Sequence, residues 1–413
     1  MIDPELRNRT GAPEWAPVVE GTPRLPWAPL IAMSLTGFIM VVTETVPAGL
    51  LPQIGQGLHV STAGAGQFVT LYAAGAVVAA IPAVSATRTW HRKPLLVGGM
   101  LGFVVANAGT AIAPDYLVAL VGRFVAGGFS GLLWGMLAGY AHKIVPPTLT
   151  GKAVAVATIG TPVALSVGTP LGAFLGSAIG WRWTFIVMSA LAVLATIWVV
   201  LGVPDASGLP EGKETSLVGV LRGPGTLAVL AVVFTWMLGH NILYTYIEPL
   251  LGSTRIEVPV QLVLTVFGVA AVAGTVVIGA LVDPHLRRSV LGSLAAFAVA
   301  ILALTVARNE SIAFFAAVVV WGFVFGGAPT LLFTASADAA GENTDTAQSM
   351  VATAWNLAIL AGGAIGGVLL GARGPRSLLS VALAVTVVAF VVAAHGRKHG
   401  FRPGHRHQRF TRP

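Results

Sequence analysis

The stretch WAPLIAMSLTGFIMVVTETVPAGLL, Trp27 to Leu51, decides the fold class. A helix crossing a hydrocarbon core about 30 Å thick needs about 20 mostly apolar residues, and this stretch supplies them. A helix on the surface of a soluble core would instead pair its apolar stripe with a charged face. Here one side chain ionises, Glu44. The stretch reads as a membrane span with a single acid in its interior.

Working outward, eleven further runs of this kind follow, separated by charge, Pro and Gly. They cover Ala63 to Val84, Leu95 to Ala113, Tyr116 to Tyr140, Ala153 to Ile179, Trp183 to Val203, Thr226 to Leu251, Val258 to Val282, Val290 to Ala307, Ile312 to Ser336, Ala347 to Gly371 and Leu378 to Ala394. Composition agrees: 55% of the residues are hydrophobic and 10% charged, against about 25% charged in a soluble domain. Mean hydropathy is +0.82. A soluble enzyme is excluded. The 50 Gly and 25 Pro are scattered through apolar runs, as in bilayer helices, which excludes collagen and flexible linkers. With no Cys, disulfides, thiolate metal sites and cysteine nucleophiles are absent together.

The net charge of +8 would suit a nucleic-acid partner only if it were gathered on one surface, and it lies between the runs and in the tails. Placed on the twelve-span map, most Lys and Arg fall on the side of the N-terminus. They lie in the first 26 residues, in Ser85 to Pro94, Lys143 to Lys152 and Pro204 to Arg222, at Arg287 and Arg288, and after Ala394. Arg182, Arg255, Arg308, Arg373 and Arg376 fall opposite, and Arg123 lies inside a span. The positive-inside bias predicts a multi-pass protein of the inner (plasma) membrane with both termini cytoplasmic. The first 26 residues lack a small-residue cleavage site and are not read as a signal peptide.

The organisation expected is a tail over 1–26, six spans over 27–203, a polar linker over 204–222, six spans over 223–394, and a basic, His-rich tail over 395–413. An internal repeat supports the division. TRTWHRKPLL, Thr87 to Leu96, resembles DPHLRRSVL, Asp283 to Leu291, and Gly168 and Gly172 match Gly363 and Gly367. Parallel six-span repeats place a binding cavity at midplane between two rocking halves.

Ionisable groups inside a bilayer are costly, by roughly 2.5 to 3.5 kcal/mol on insertion scales, and each needs a reason. Glu44, flanked by Thr43 and Thr45 and followed by Pro47, is a candidate reversible proton acceptor; a carboxyl that merely ties helices together is the structural alternative. Arg123 opens RFVAGGFSGLLWG, and with Gly127, Ser130, Gly131 and Trp134 it shares one helical face. It is expected to act as an electrostatic partner, because a guanidinium does not deprotonate, while the small residues equally suit helix packing. In GHNILYTYIEPL, His240, Tyr244 and Glu248 recur every four residues. His240, Asn241 and Tyr244 are expected to line a cavity, with Glu248 nearer the interface. Gln67, Trp134, Gln348, Trp355 and Asn356 complete a mostly apolar cavity with few polar anchors, suited to a small organic ligand, with interhelical hydrogen bonding as the competing role. His405 and His407 lack further ligand spacing, so no metal is expected, and the tail is expected to touch anionic lipid. No P-loop, G-x-S-x-G elbow or H-E-x-x-H motif occurs, and neither an enzyme nor a cofactor is expected.

From Trp27 to Ala394 the chain resembles the major facilitator superfamily, in particular its twelve-span drug/proton antiporters and sugar-efflux permeases. TETVPAGLLPQIG, RFVAGGFSG, GTPLGAFLGSAIGWRWTF and GHNILYTYIEPLL carry the resemblance. It implies an all-α membrane protein whose twelve helices form two pseudo-symmetric six-helix bundles. It also places Arg123 on an Arg associated with proton coupling, and Gly168, Pro170, Gly172 and Gly176 on a Gly/Pro antiporter motif. Arg88, Arg92 and Lys93 fall on a basic gating loop, with Asp283, Arg287 and Arg288 in its second-half equivalent. Thr87 stands where that loop usually has an Asp. The function expected is proton-coupled efflux of a small organic compound by a monomer. Nutrient symport on the same fold and a multispan receptor or membrane enzyme are the alternatives.

Overall fold

The computed structural model describes residues 25–87, 89–146, 149–208, 217–306, 310–340, 344–398 and 400–401. Twelve helical runs among them are long and apolar enough to cross a membrane. The first half contains α1 (Trp27–Thr45), a 3-10 turn (Val46–Gly49), α2 (Leu51–Leu58), α3 (Thr62–Ala86), α4 (Arg92–Ile112) and α5 (Tyr116–Lys143). It continues with α6 (Thr150–Thr158), α7 (Gly160–Val163), a π turn (Ala164–Gly168), α8 (Thr169–Ile179) and α9 (Trp181–Gly202). After α10 (Leu217–Leu221) the second half holds α11 (Thr226–Thr245), α12 (Ile247–Gly252), α13 (Val260–Val306), α14 (Ser311–Ala340), α15 (Thr344–Arg373) and α16 (Arg376–His395).

The helices outrun the apolar runs at several ends, because backbone hydrogen bonding continues where hydropathy stops. Arg92 and Arg376 lie in first turns that the apolar pattern excludes. Spans eight and nine share one helical run, α13, which turns at His285 (φ −136°, ψ 31°) where the sequence reading placed a connection. Spans one and seven, read as continuous, are both interrupted near the same depth. The first changes to 3-10 geometry at Val46–Gly49 around Pro47, and the second breaks at Tyr246 (φ −112°, ψ 29°). Paired interruptions in corresponding spans of two halves are a hallmark of transporter binding sites. Elsewhere short polar devices close the helix ends. Asp115 accepts the Val118 N–H at 3.0 Å to start α5, and Arg182 donates to the last carbonyls of α4 at Ala111 (3.0 Å) and Ala113 (2.8 Å).

Small residues set helix spacing alike in both halves. A Cβ on Gly75 would run into the Phe124 carbonyl, and one on Gly127 into that of Tyr72, so α3 and α5 touch backbone to backbone. The second half repeats this between α13 and α14, where Gly274 faces the Phe323 carbonyl and Gly326 that of Ala271. Gly127→Val is therefore expected to force α5 off α3 at a cost of about 3 kcal/mol, the upper range for overpacking. Thermal unfolding in detergent measures it, and a melting temperature equal to wild type would remove this account of the α3–α5 contact.

The halves meet at the end opposite the basic loops. There Val46, Leu50 and Ala173 share one buried apolar cluster with Val263, Leu264 and Phe267, and Thr70 lies against Gly363. Gly268 fits against the backbone at Leu165 and Ser166, which ties α13 to the π turn. Glu44 sits below this seal and is only half-buried.

Candidate functional site

Glu44 occupies the last turn of α1, directly before the 3-10 interruption. Its neighbour Thr45 keeps its hydroxyl on the Val41 carbonyl (2.7 Å) and meets the Thr169 hydroxyl at 2.6 Å, where α8 leaves the π turn. Pro170 lies in the first turn of α8, directly after the π turn. A π turn widens the helix locally, and such turns recur at functional sites. Gly160, Gly168, Gly172 and Gly176 form one stripe against α1 and its extension. Added Cβ atoms would strike Ser34 and Phe38, then Val42, Val46 and Leu50. The stripe brings the two spans together beside Glu44.

Arg123 is fully buried on α5. Its Nε–H donates to the Phe68 carbonyl of α3 at 3.0 Å, while Nη1 and Nη2 are buried without hydrogen-bond partners. The guanidinium lies 4.5 Å from the Tyr72 ring centre and 5.4 Å from that of Phe185, a cation held over two aromatic faces. Glu44 and Arg123 act on each other electrostatically. They are not within 4.0 Å, since His91–Asp205 is the ion pair found at that distance among the described residues. Below Arg123 on the same face, Ser130 is buried, Gly131 meets Ala76 of α3, and Trp134 reaches Gly37 of α1.

In the second half His240 is buried in an aromatic cluster. Its ring stacks 3.7 Å from Phe325 and 5.3 Å from Tyr244, with Phe267 at 5.8 Å. Trp321 Nε1 approaches His240 Nδ1 at 3.1 Å. An indole nitrogen only donates, so Nδ1 must accept, and the imidazole is neutral with its proton on Nε2. Tyr244 carries its buried hydroxyl, without a partner, to the neighbourhood of Thr169 and Glu44.

The other residues singled out in the sequence, Trp355 excepted, lie apart from this centre. Asn241 is buried against Gly362 of α15 and donates to Met237 of its own helix (2.8 Å). Asn356 likewise donates to Ala352 (2.9 Å). Gln67 donates to Ala63 at 3.4 Å and lies beside Gly367, in the seam between α3 and α15. Trp355 stands 6.3 Å from Phe325, and Gln348 is half-buried near the start of α15. Glu248 lies in α12, and its Oε2 is buried without a partner. Arg287 caps the end of α16 through the Ala393 (3.1 Å) and Ala394 (2.9 Å) carbonyls and also holds that of Phe401 (3.0 Å), whereas Arg288 is exposed. Arg88, the Asp283 side chain, His405 and His407 lie outside the described residues. Among those described, no cluster of three metal-ligating side chains occurs.

Three residues of this region escaped the sequence reading. Tyr72 faces Arg123 from α3 and donates to the Met40 carbonyl (3.3 Å). Thr169 pairs with Thr45 across spans. Tyr246 fills the interruption of span seven and donates to the Gly363 carbonyl (2.7 Å), with Gly66, Gly366 and Gly367 closing around its ring. The usable signal for Tyr246 was the pair of small-residue stripes in spans two and eleven, which leave room for one large side chain.

Comparison with known proteins agrees with this architecture. The family model described as Major Facilitator Superfamily matches residues 33–343 and 250–410. The purine ribonucleoside efflux pump NepI of Shigella dysenteriae serotype 1 is 27% identical over 372 residues, which is 89% of this chain and 94% of that protein. NepI of Salmonella typhimurium is 27% identical over 381 residues, 92% and 96% of the two chains. Among solved structures, a bacterial homolog to the human lysosomal transporter Spinster, in an inward-facing and unoccupied conformation, superposes with a TM-score of 0.70 at 15% identity, covering 93% of this chain and all of that one.

Proposed function

The chain belongs to the Major Facilitator Superfamily, and we propose that it is a proton-coupled exporter of a small organic compound, working by alternating access with the basic-loop end in the cytoplasm. The observation that carries the proposal is Glu44. An acid inside a span, half-buried between the halves and within electrostatic reach of the buried Arg123, is costly to keep unless its charge is used. With the cytoplasmic side open, Glu44 releases its proton and substrate binds. With the outer side open, protonation of Glu44 accompanies substrate release. The two ligands shift one equilibrium between two states, as coupled transport requires.

The names of the relatives make purine ribonucleosides the first compounds to test. A planar base suits the aromatic wall of Tyr244, Trp355 and Phe325, and ribose hydroxyls suit the threonine and tyrosine hydroxyls near Glu44. The test is flux in proteoliposomes under an imposed pH gradient. Substrate movement against inward proton flow is expected. Accumulation together with protons would mean symport, and no gradient-dependent movement of any compound would leave the receptor or enzyme reading.

A further inference from the structure

The core of the first bundle holds polar side chains from three helices that no partner satisfies. Helices α1 and α4 run in the same direction through it and are fixed in register by Thr36, whose hydroxyl meets Met100 Sδ at 3.6 Å. Beside that contact a cavity of about 10 Å³ is walled by Thr36, Ile39 and Met40 of α1, Met100 and Phe103 of α4, and Leu133 of α5. About two turns further along the same faces, Thr43 and Asn107 come level with each other. Arg123 reaches this level from α5. Its neighbour Gly122 packs on the Ala106 carbonyl and on Thr110 of α4, and Tyr72 under the guanidinium donates to the Met40 carbonyl of α1.

Thr43 is 1% exposed, and Asn107 and Arg123 are 0% exposed. The Thr43 hydroxyl, both amide atoms of Asn107 and Arg123 Nη1 and Nη2 all lack hydrogen-bond partners. Neighbouring hydroxyls are already committed: Thr110 donates to the Ala106 carbonyl and Ser189 to that of Phe185, each at 2.9 Å. Buried polar atoms without partners are rare, and a group of them on one level asks for a ligand.

The hydrogen count says which kind. Two guanidinium nitrogens, an amide nitrogen and a hydroxyl offer more hydrogens than one amide oxygen and one hydroxyl oxygen can accept. A water molecule brings as many hydrogens as it has lone pairs, so it leaves the excess unchanged. An anion accepts several hydrogens, offers none, and supplies the countercharge that no carboxylate within 4.0 Å gives Arg123. Entry has a wetted start, since Glu44, next to Thr43, is only half-buried.

We infer that Arg123, Asn107 and Thr43 form a binding site for one small monovalent anion of halide size, inside the first bundle and apart from the space between the halves. An ion there keeps the guanidinium compensated whichever charge Glu44 carries. The inference does not rest on proton-coupled export, because binding requires neither a gradient nor a substrate.

The probe is chloride, compared at equal ionic strength with gluconate, an anion too large for such a core, on the full chain in detergent. Chloride at about ten times its dissociation constant is expected to raise the melting temperature by about 2 °C, with a dependence that saturates. Asn107→Leu and Arg123→Met, which replace polar groups by apolar ones of similar volume, are expected to melt alike in the two salts, and Thr43→Val to need more chloride for the same rise. Equal melting temperatures of the parent protein in both salts would overturn the inference. So would a chloride shift that survives in Asn107→Leu and Arg123→Met, since the ion would then bind elsewhere. Should both variants fail to fold, crystals of the parent protein soaked in bromide decide: an anomalous peak within hydrogen-bond reach of Arg123 Nη1 or Nη2 is expected, and no peak at that position counts against the site. Loss of gradient-driven export would leave each of these results unchanged.

Discussion

Export driven by a pH gradient is expected to fall by about two orders of magnitude in Glu44→Gln, the scale on which losing a positioned proton-transfer group is felt. The substitution keeps the size and hydrogen-bonding shape of the side chain and removes only its exchangeable charge. The packing around it gives little reason for unfolding. Thr45 keeps its bond to Val41 and its contact with Thr169, and the Gly168–Gly176 stripe touches Val42, Val46 and Leu50 rather than Glu44. A melting temperature near wild type should accompany the lost flux, and substrate binding without a gradient should change far less than export. Undiminished gradient-driven export would mean that another group carries the proton. A collapsed melting temperature would mean that Glu44 serves the fold.

The twelve spans were legible because the bilayer imposes one length and one polarity on every crossing segment, and hydropathy reads both. The interruptions were only half legible. Pro47 and Pro249 mark the two spans that break, but where each chain departs from the helix depends on contacts the sequence does not display. Tyr246 leaves α11 because Gly363, Gly366 and Gly367 on α15 accept its ring. The site divides in the same way. Glu44 and Arg123 stand out in any sequence reading, as ionisable groups in hydrocarbon must. Tyr72 under the guanidinium and Thr169 against Thr45 could not, because a tyrosine or threonine in a span is inexpensive and its partner lies on another helix.

Arg123→Met is expected to leave the protein as stable as wild type, or more stable, while removing transport. In the folded protein the guanidinium is wholly buried, makes one hydrogen bond to Phe68, and leaves Nη1 and Nη2 without partners. The Tyr72 and Phe185 faces and the distant charge of Glu44 return part of its lost hydration, and none of them satisfies those nitrogens. Replacing poorly compensated buried ions by apolar groups of similar volume is often neutral or stabilising by about 1 to 4 kcal/mol, and the flexible methionine side chain can occupy the same space. A group retained against that cost needs a use beyond the fold, and the use proposed for it is to set the charge that Glu44 feels. Arg123→Lys should fail as well, since a lysine keeps the charge but cannot hold the Phe68 carbonyl while lying flat over Tyr72. The measurement is thermal unfolding beside gradient-driven flux for both variants. An Arg123→Met protein that melts well below wild type would make Arg123 a structural residue, and one that still exports would detach it from Glu44.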